Sequence, residues 1–271
     1  MARDGSQVRQ PFPFLPGLGG LLRGELRRWL GRRGLVHLIG WTLFFQLLLL
    51  NDTTVTAEGL ADWRGFDALI HRWWIAGPLA AIGVSQNALI EERRNQTAAW
   101  VLSKPVSRSS FVVAKIVGDA TGLIFFAVLL QGALVYTWMP EVTPVAGLPI
   151  ERPELARFLV VLAIFSLVIL YFDAMTVCLT AFIAWRGPVA AMGLVVWLVV
   201  WSAPRKEIED YTSGGLVTGE LGDVVSGAYK PISEYLIFEQ PLEPTSSVVS
   251  TAVATLAFTA IGALIFRREQ F

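Results

Sequence analysis

The chain has 271 residues, of which 54% are apolar and only 16% charged, against roughly 25% charged in an ordinary soluble domain. A water-soluble fold of this length cannot bury so much apolar side chain, so the composition excludes a soluble domain and points to an all-α integral membrane protein. Basic and acidic residues cancel at 22 each, which removes the basic footprint of a nucleic-acid binder, and one cysteine with two histidines excludes an internal disulfide and a thiolate- or histidine-rich metal site.

In chain order, residues 1–20 read as a cytoplasmic tail and residues 21–271 as a single transmembrane domain. Leu21–Arg33 places Leu22, Leu26, Trp29 and Leu30 at helical spacing, flanked by Arg23, Arg27, Arg28, Arg32 and Arg33. That pattern predicts an N-terminal amphipathic helix at the inner membrane interface. Arg32-Arg33 before an apolar run also resembles a twin-arginine signal, but no A-x-A site follows Leu50, so retention of the segment is expected. Apolar runs then predict six spanning helices over about 33–50, 70–90, 113–139, 155–184, 187–204 and 247–266.

Between spans 2 and 3 the chain reads ALIEERRNQTAAWVLSKPVSRSSFVVAKIVG. Glu91 and Glu92 are expected to close span 2 at the inner surface. Ala98, Val101 and Leu102 line one side of a short cytoplasmic helix with Trp100 beside them, and Pro105 ends it, because a residue before proline is pushed out of helical geometry. Charges at Glu91, Glu92, Arg93, Arg94, Lys104 and Arg108 surround this helix, which suits the docking of a cytosolic protein. Lys115 and Asp119 then open span 3 at i, i+4, where they can pair or reach the inner headgroups. Gly118 and Gly122 form a G-x-x-x-G that permits close helix approach.

The outer segment 140–153 carries Pro140, Pro144, Pro149 and Pro153 and is expected to be extended. Asp173 is the one acid deep in a span, somewhat to the inner side of its centre. A charge there is costly, so it marks either a substrate, cation or proton contact or an acid hydrogen-bonded to Thr176, Tyr171 or another span. Residues 205–246 form a long extracytoplasmic loop in which Leu236, Ile237 and Phe238 stand out as apolar. Counted over the two sides of six spans, 15 Lys and Arg fall on the side of the termini and 7 on the other. Positive charge stays inside, so both termini are expected in the cytoplasm. No phosphate loop, H-E-x-x-H or G-x-S-x-G is present, so catalysis and nucleotide hydrolysis by this chain are not expected.

The stretch from Glu91 to Lys115 resembles the signature of type-2 ATP-binding-cassette (ABC) permease subunits. That family has an acid at the end of span 2, a threonine, an LLS-x-PVSR run and a lysine at the start of span 3. Here these correspond to Glu91 or Glu92, to Thr97, to Val101-Leu102-Ser103-Lys104-Pro105-Val106-Ser107-Arg108, and to Lys115. Gln96 stands where the family has a glycine before the threonine, so a less tight turn is expected there. The closing Phe266-Arg267-Arg268-Glu269 is similar to the family's C-terminus.

The resemblance implies a permease subunit of an exporter in a bacterial or archaeal plasma membrane. It further implies a second permease copy and two cytosolic ATPase subunits that bind the ATP and Mg, with no cofactor on this chain. The short helix would be the coupling helix, with Glu91, Glu92, Thr97, Trp100, Leu102, Lys104, Pro105 and Arg108 coupling it to the ATPase, and membrane lipid surrounding the spans. Two other readings remain open at this point: an ion-coupled carrier using Asp173, and a non-transporting membrane anchor for a cytosolic complex.

Overall fold

The computed structural model describes residues 15–53, 63–138, 142–145, 148–202 and 245–268. Most of loop 205–246, including Leu236, Ile237 and Phe238, lies outside the described residues, as does Glu269. The described chain is helical apart from one short hairpin. Its elements are α1 (Leu18–Leu30), α2 (Arg32–Thr53), α3 (Trp63–Ser85), α4 (Ile90–Arg94), α5 (Thr97–Leu102) and α6 (Arg108–Leu123). A π-helical segment, Ile124–Leu129, joins α6 to α7 (Leu130–Trp138). Strands β1 (Val142–Val145) and β2 (Leu148–Glu151) pair antiparallel across the proline-rich segment. The chain continues through α8 (Leu155–Phe182), α9 (Arg186–Ser202) and α10 (Thr245–Arg268).

Three helices are long and apolar enough to cross a membrane among the described residues: Arg108–Thr137, Leu155–Phe182 and Val248–Arg268. Helix α8 forms the axis of the bundle. Its Phe158, Phe165, Phe172 and Val177 are fully enclosed, packed by α3 and α10 on its flanks. Gly262 of α10 lets that helix close on the α8 backbone, since a Cβ there would lie 3.3 Å from the Cα of Cys178. A second apolar cluster sits nearer the C-terminal ends of α8 and α10 and joins Leu89, Phe111, Val112, Ile116, Val177 and Phe266.

Two local expectations are revised. Span 2 was expected to run to residue 90, but α3 stops at Ser85 and the chain turns, so Glu91 and Glu92 stand on the separate α4. The cause is burial of Ala88 and Leu89 in this second cluster, which draws the chain across the bundle rather than onward along the helix. Lys115 and Asp119 do not bond each other. Glu25 and Glu92 bind Lys115, and Arg33 binds Asp119, because α1 and α2 bring better-placed partners than the local turn offers.

Helix α1 overlaps much of the Leu21–Arg33 segment and runs alongside the first half of α6. Pro16 accepts hydrogen bonds from Ser107 N–H (3.2 Å) and Ser110 Oγ (3.0 Å) at one end. Further along, Glu25 covers Gly118 and Trp29 covers Gly122. The G-x-x-x-G is therefore the groove that seats α1. A Cβ on Gly122 would meet the Trp29 ring at 1.9 Å, and one on Gly118 would meet Cβ of Glu25 at 2.5 Å.

The π segment has its own supports. Widening a helix by one residue leaves carbonyls without their usual partners. Here the Ala127 carbonyl accepts from Trp73 Nε1 of α3 at 2.9 Å, and the Phe126 carbonyl from Gln131 Nε2 at 3.3 Å. The same Gln131 nitrogen reaches Thr42 Oγ1 of α2 at 3.3 Å.

Gly122→Ala should force Trp29 out of its seat and destabilise the protein by roughly 1–3 kcal/mol, as overpacking does. Gly83→Ala, at a helical glycine with open space around it, should stay within about 0.5 kcal/mol of the parent. Thermal unfolding of both variants in detergent checks this. Equal melting temperatures would show that the α1 seat contributes nothing.

Candidate docking surface on the inner loop

The loop between α3 and α6 is built from two very short helices joined at Asn95 and Gln96. Gln96 has φ of 56°, in the left-handed region that favours glycine. The expected loosening of this turn is not seen. The turn is made tightly by a residue that carries a Cβ, which costs on the order of 1 kcal/mol or more. It is held because Thr97 Oγ1 bonds both the carboxylate and the backbone carbonyl of Glu92 across it.

Glu92 is the hub of this region. Its Oε1 accepts from Lys115 Nζ at 2.6 Å and pairs with Arg28 at 3.3 Å. Lys115 also reaches Glu25 Oε1 at 2.8 Å, and Arg28 reaches Glu25 Oε2 at 3.1 Å. One ring of charges thus ties α1, α4 and α6 together. Burial pushes the Glu92 carboxyl up, but the Lys115 ammonium, with Thr97 and Arg28, outweighs it and holds the group down at about 2.

The basic residues of the loop divide into two sets. Arg93 donates to the carbonyls of Thr180 (2.8 Å) and Ala181 (3.1 Å), and so caps the C-terminus of α8. Arg108 donates to the Arg267 carbonyl at 3.0 Å and does the same for α10. Both place a cation at the negative end of a helix dipole. Arg94 and Lys104 face outward, as does Glu91.

Helix α5 is the exposed edge of this structure. Ala98 is buried and Val101 and Leu102 are half-buried, which fixes its inner side. Trp100 points away with 64% of its surface exposed, and the Lys104 ammonium sits 3.6 Å above its ring. Ser103 Oγ closes the helix by donating to the Trp100 carbonyl at 2.7 Å, and Ser107 caps α6 by accepting from Ser110 N–H at 3.0 Å. The proline break expected at Pro105 lies between these two caps. Beside α4, a groove of about 680 Å³ is lined by Glu91, Arg94, Trp185 and Arg186 among others. Trp185 is 76% exposed.

The residues singled out in sequence therefore separate in space. Glu92 and Thr97 meet in the charge ring, Trp100 and Lys104 form the outward face, and Glu91 lines the groove. Arg108 belongs to the α10 cap. Asp173 lies deeper, fully buried in α8 and hydrogen-bonded by Ser85. Sequence reasoning overlooked Glu25, Arg28 and the Trp185-Arg186 turn. A tryptophan beside an arginine on an inner turn was the signal available for the last of these.

The family model described as ABC-2 family transporter protein matches residues 65–271 of this chain, from α3 to the end. No curated protein matches the chain.

The Glu92 contribution to stability is present above about pH 4.5, its ordinary value, and is lost as pH falls towards 2. Melting temperatures of the parent and Glu92→Gln should therefore differ near neutrality and converge through that window. A constant difference across it would remove Glu92 from the ring's energetics. Gln96→Gly should relieve the left-handed strain and raise stability by about 1 kcal/mol, read by the same thermal measurement. A loss of stability would show that the side chain matters more than the backbone.

Proposed function

The chain belongs to the ABC-2 transporter family and is a membrane-embedded permease, and from that premise we propose that it is the export subunit of a transporter powered by separate ATPase chains. Two cytosolic ATPase subunits carry the ATP and Mg²⁺, and a second permease copy completes the translocation unit. The chain has a tail over residues 1–20 and one transmembrane domain over 21–271. It crosses the plasma membrane of a bacterial or archaeal cell six times with both termini in the cytoplasm and residues 205–246 outside. It has no catalytic role of its own.

The observation that carries this reading is the exposed Trp100 on α5, stacked under Lys104, at the tip of an otherwise braced loop. A large aromatic left in water on a rigid support is the kind of anchor that binding hot spots use. Lys104 supplies its rim, and Pro105 fixes where the helix stops. Closure of the ATPase pair presses on α5.

The bonds behind α5 determine where that push goes. Thr97 and Glu92 pass it to Lys115 on α6, and Glu25 with Arg28 passes it to α1. Arg93 carries it to the inner end of α8, and Arg108 ties the base of α6 to the inner end of α10. A load on one short helix thus reaches four long elements at once. Coupling a distant event to a set of helices requires such a connected, rigid path.

Trp100→Ala removes the anchor without touching the charge ring. It should weaken co-purification with the cognate ATPase about tenfold or more, the loss expected for an aromatic hot spot, while leaving the melting temperature of the permease unchanged. Unaltered association and unaltered substrate-stimulated ATP hydrolysis would mean that α5 is only a connector.

A further inference from the structure

Most of the buried carboxylates near one end of the bundle are ion-paired. Among the described residues this region holds four largely buried carboxylates, Glu25, Glu92, Asp119 and Asp173, and three cations that pair with them, Arg28, Arg33 and Lys115. Glu25 and Glu92 share Lys115 and Arg28, and Asp119 takes Arg33 at 3.1 Å. Asp173 has no cation at ion-pair distance among the described residues, and it is fully buried.

Its surroundings are well defined. Ser85, the last residue of α3, donates to Oδ1, and Oδ2 has no partner. From α6 the nearest charge to act on it is Asp119, which is of like sign, and from α2 it is Arg33, already committed to Asp119. On α8 itself the neighbouring titratable groups are Tyr171 and Cys178, and α10 carries no charged residue before Arg267. An isolated carboxylate in such a medium is far costlier than a neutral carboxyl.

A cavity of about 480 Å³ approaches the same place. Asp119, Lys115, Val84 and Asn87 line it, and it opens beside Glu91, Asn95 and Thr97 at the inner surface. Val84 and Asn87 flank Ser85 in the chain. The cavity therefore brings solution close to the Ser85 end of α3.

We propose that Asp173 is a proton-binding site, loaded from the inner side through this cavity. The step is addition of one proton to the carboxylate at Oδ2, which forms an O–H bond and breaks no other within the protein. A metal cation is a poor fit, because Asp173 and Ser85 supply too few oxygens for one and no group of three metal-binding side chains occurs among the described residues. The site is separate from α5, so it stands whether or not the ATPase docks there.

Infrared difference spectroscopy of the full chain in lipid nanodiscs at neutral pH tests this. The parent should show the C=O stretch of a protonated carboxyl, shifted by D₂O, and Asp173→Asn should lack it while remaining folded. Asp119→Asn should keep the band. If Asp173→Asn cannot be purified, Asp173→Glu should move the band rather than abolish it. Identical spectra for the parent and both Asp173 variants would overturn the proposal. A melting temperature that depends on sodium or potassium in the parent but not in Asp173→Asn would overturn it too, by making the ligand a metal ion.

Discussion

The packing of α1, α4 and α6 depends on one buried ammonium. Lys115 lies almost wholly out of water between Glu25 and Glu92, at 2.8 and 2.6 Å. Leaving such a group unpaired costs several kcal/mol, so all three side chains must arrive together or not at all. They come from α6, α1 and α4, and the pairing therefore fixes how these helices sit against one another. Gly118, one turn beyond Lys115 on α6, makes the approach of Glu25 possible by presenting no side chain. A charged contact and a missing Cβ act as one device.

That device explains the division of labour on the inner loop. A loop meant only to join two helices would leave its charges in water. Here Glu92, Arg93 and Arg108 are all turned back onto the bundle, two of them as caps on helix C-termini. What remains outward is small: Trp100 with Lys104, and the groove by Trp185. Bracing and contact are thus carried by different residues of the same short stretch, and substitutions can separate them.

The parts legible in sequence were those set by unbroken local pattern. The apolar runs of α8 and α10 end within a few residues of where the helices end, because nothing competes with burial along them. The break at Pro105 and the outward Trp100 followed from proline geometry and from the apolar side formed by Ala98, Val101 and Leu102. The early stop of α3 was hidden, since Ala88 and Leu89 look like a continuing span yet serve a different cluster. Glu25 drew no notice as one acid in a basic segment, and only the three-dimensional approach of α1 to Gly118 reveals its partner. Lys115 and Asp119 matched a local i, i+4 pair, but long-range partners of opposite charge won. At Gln96 the missing glycine suggested an open turn, whereas the Thr97–Glu92 bonds enforce the tight one.

The π segment in the long α6–α7 helix has a geometric consequence for how a push at its base is felt at its far end. One additional residue in a turn rotates everything beyond it by about 100° relative to a regular helix. The side of α6 that seats α1 is therefore out of phase with the side of α7 that presents Gln131 to Thr42. Rewinding the wide turn would act as a screw, twisting the outer half while the inner half stayed gripped by Lys115. Trp73 and Gln131 brace the wide turn, each by a hydrogen bond to one of its carbonyls.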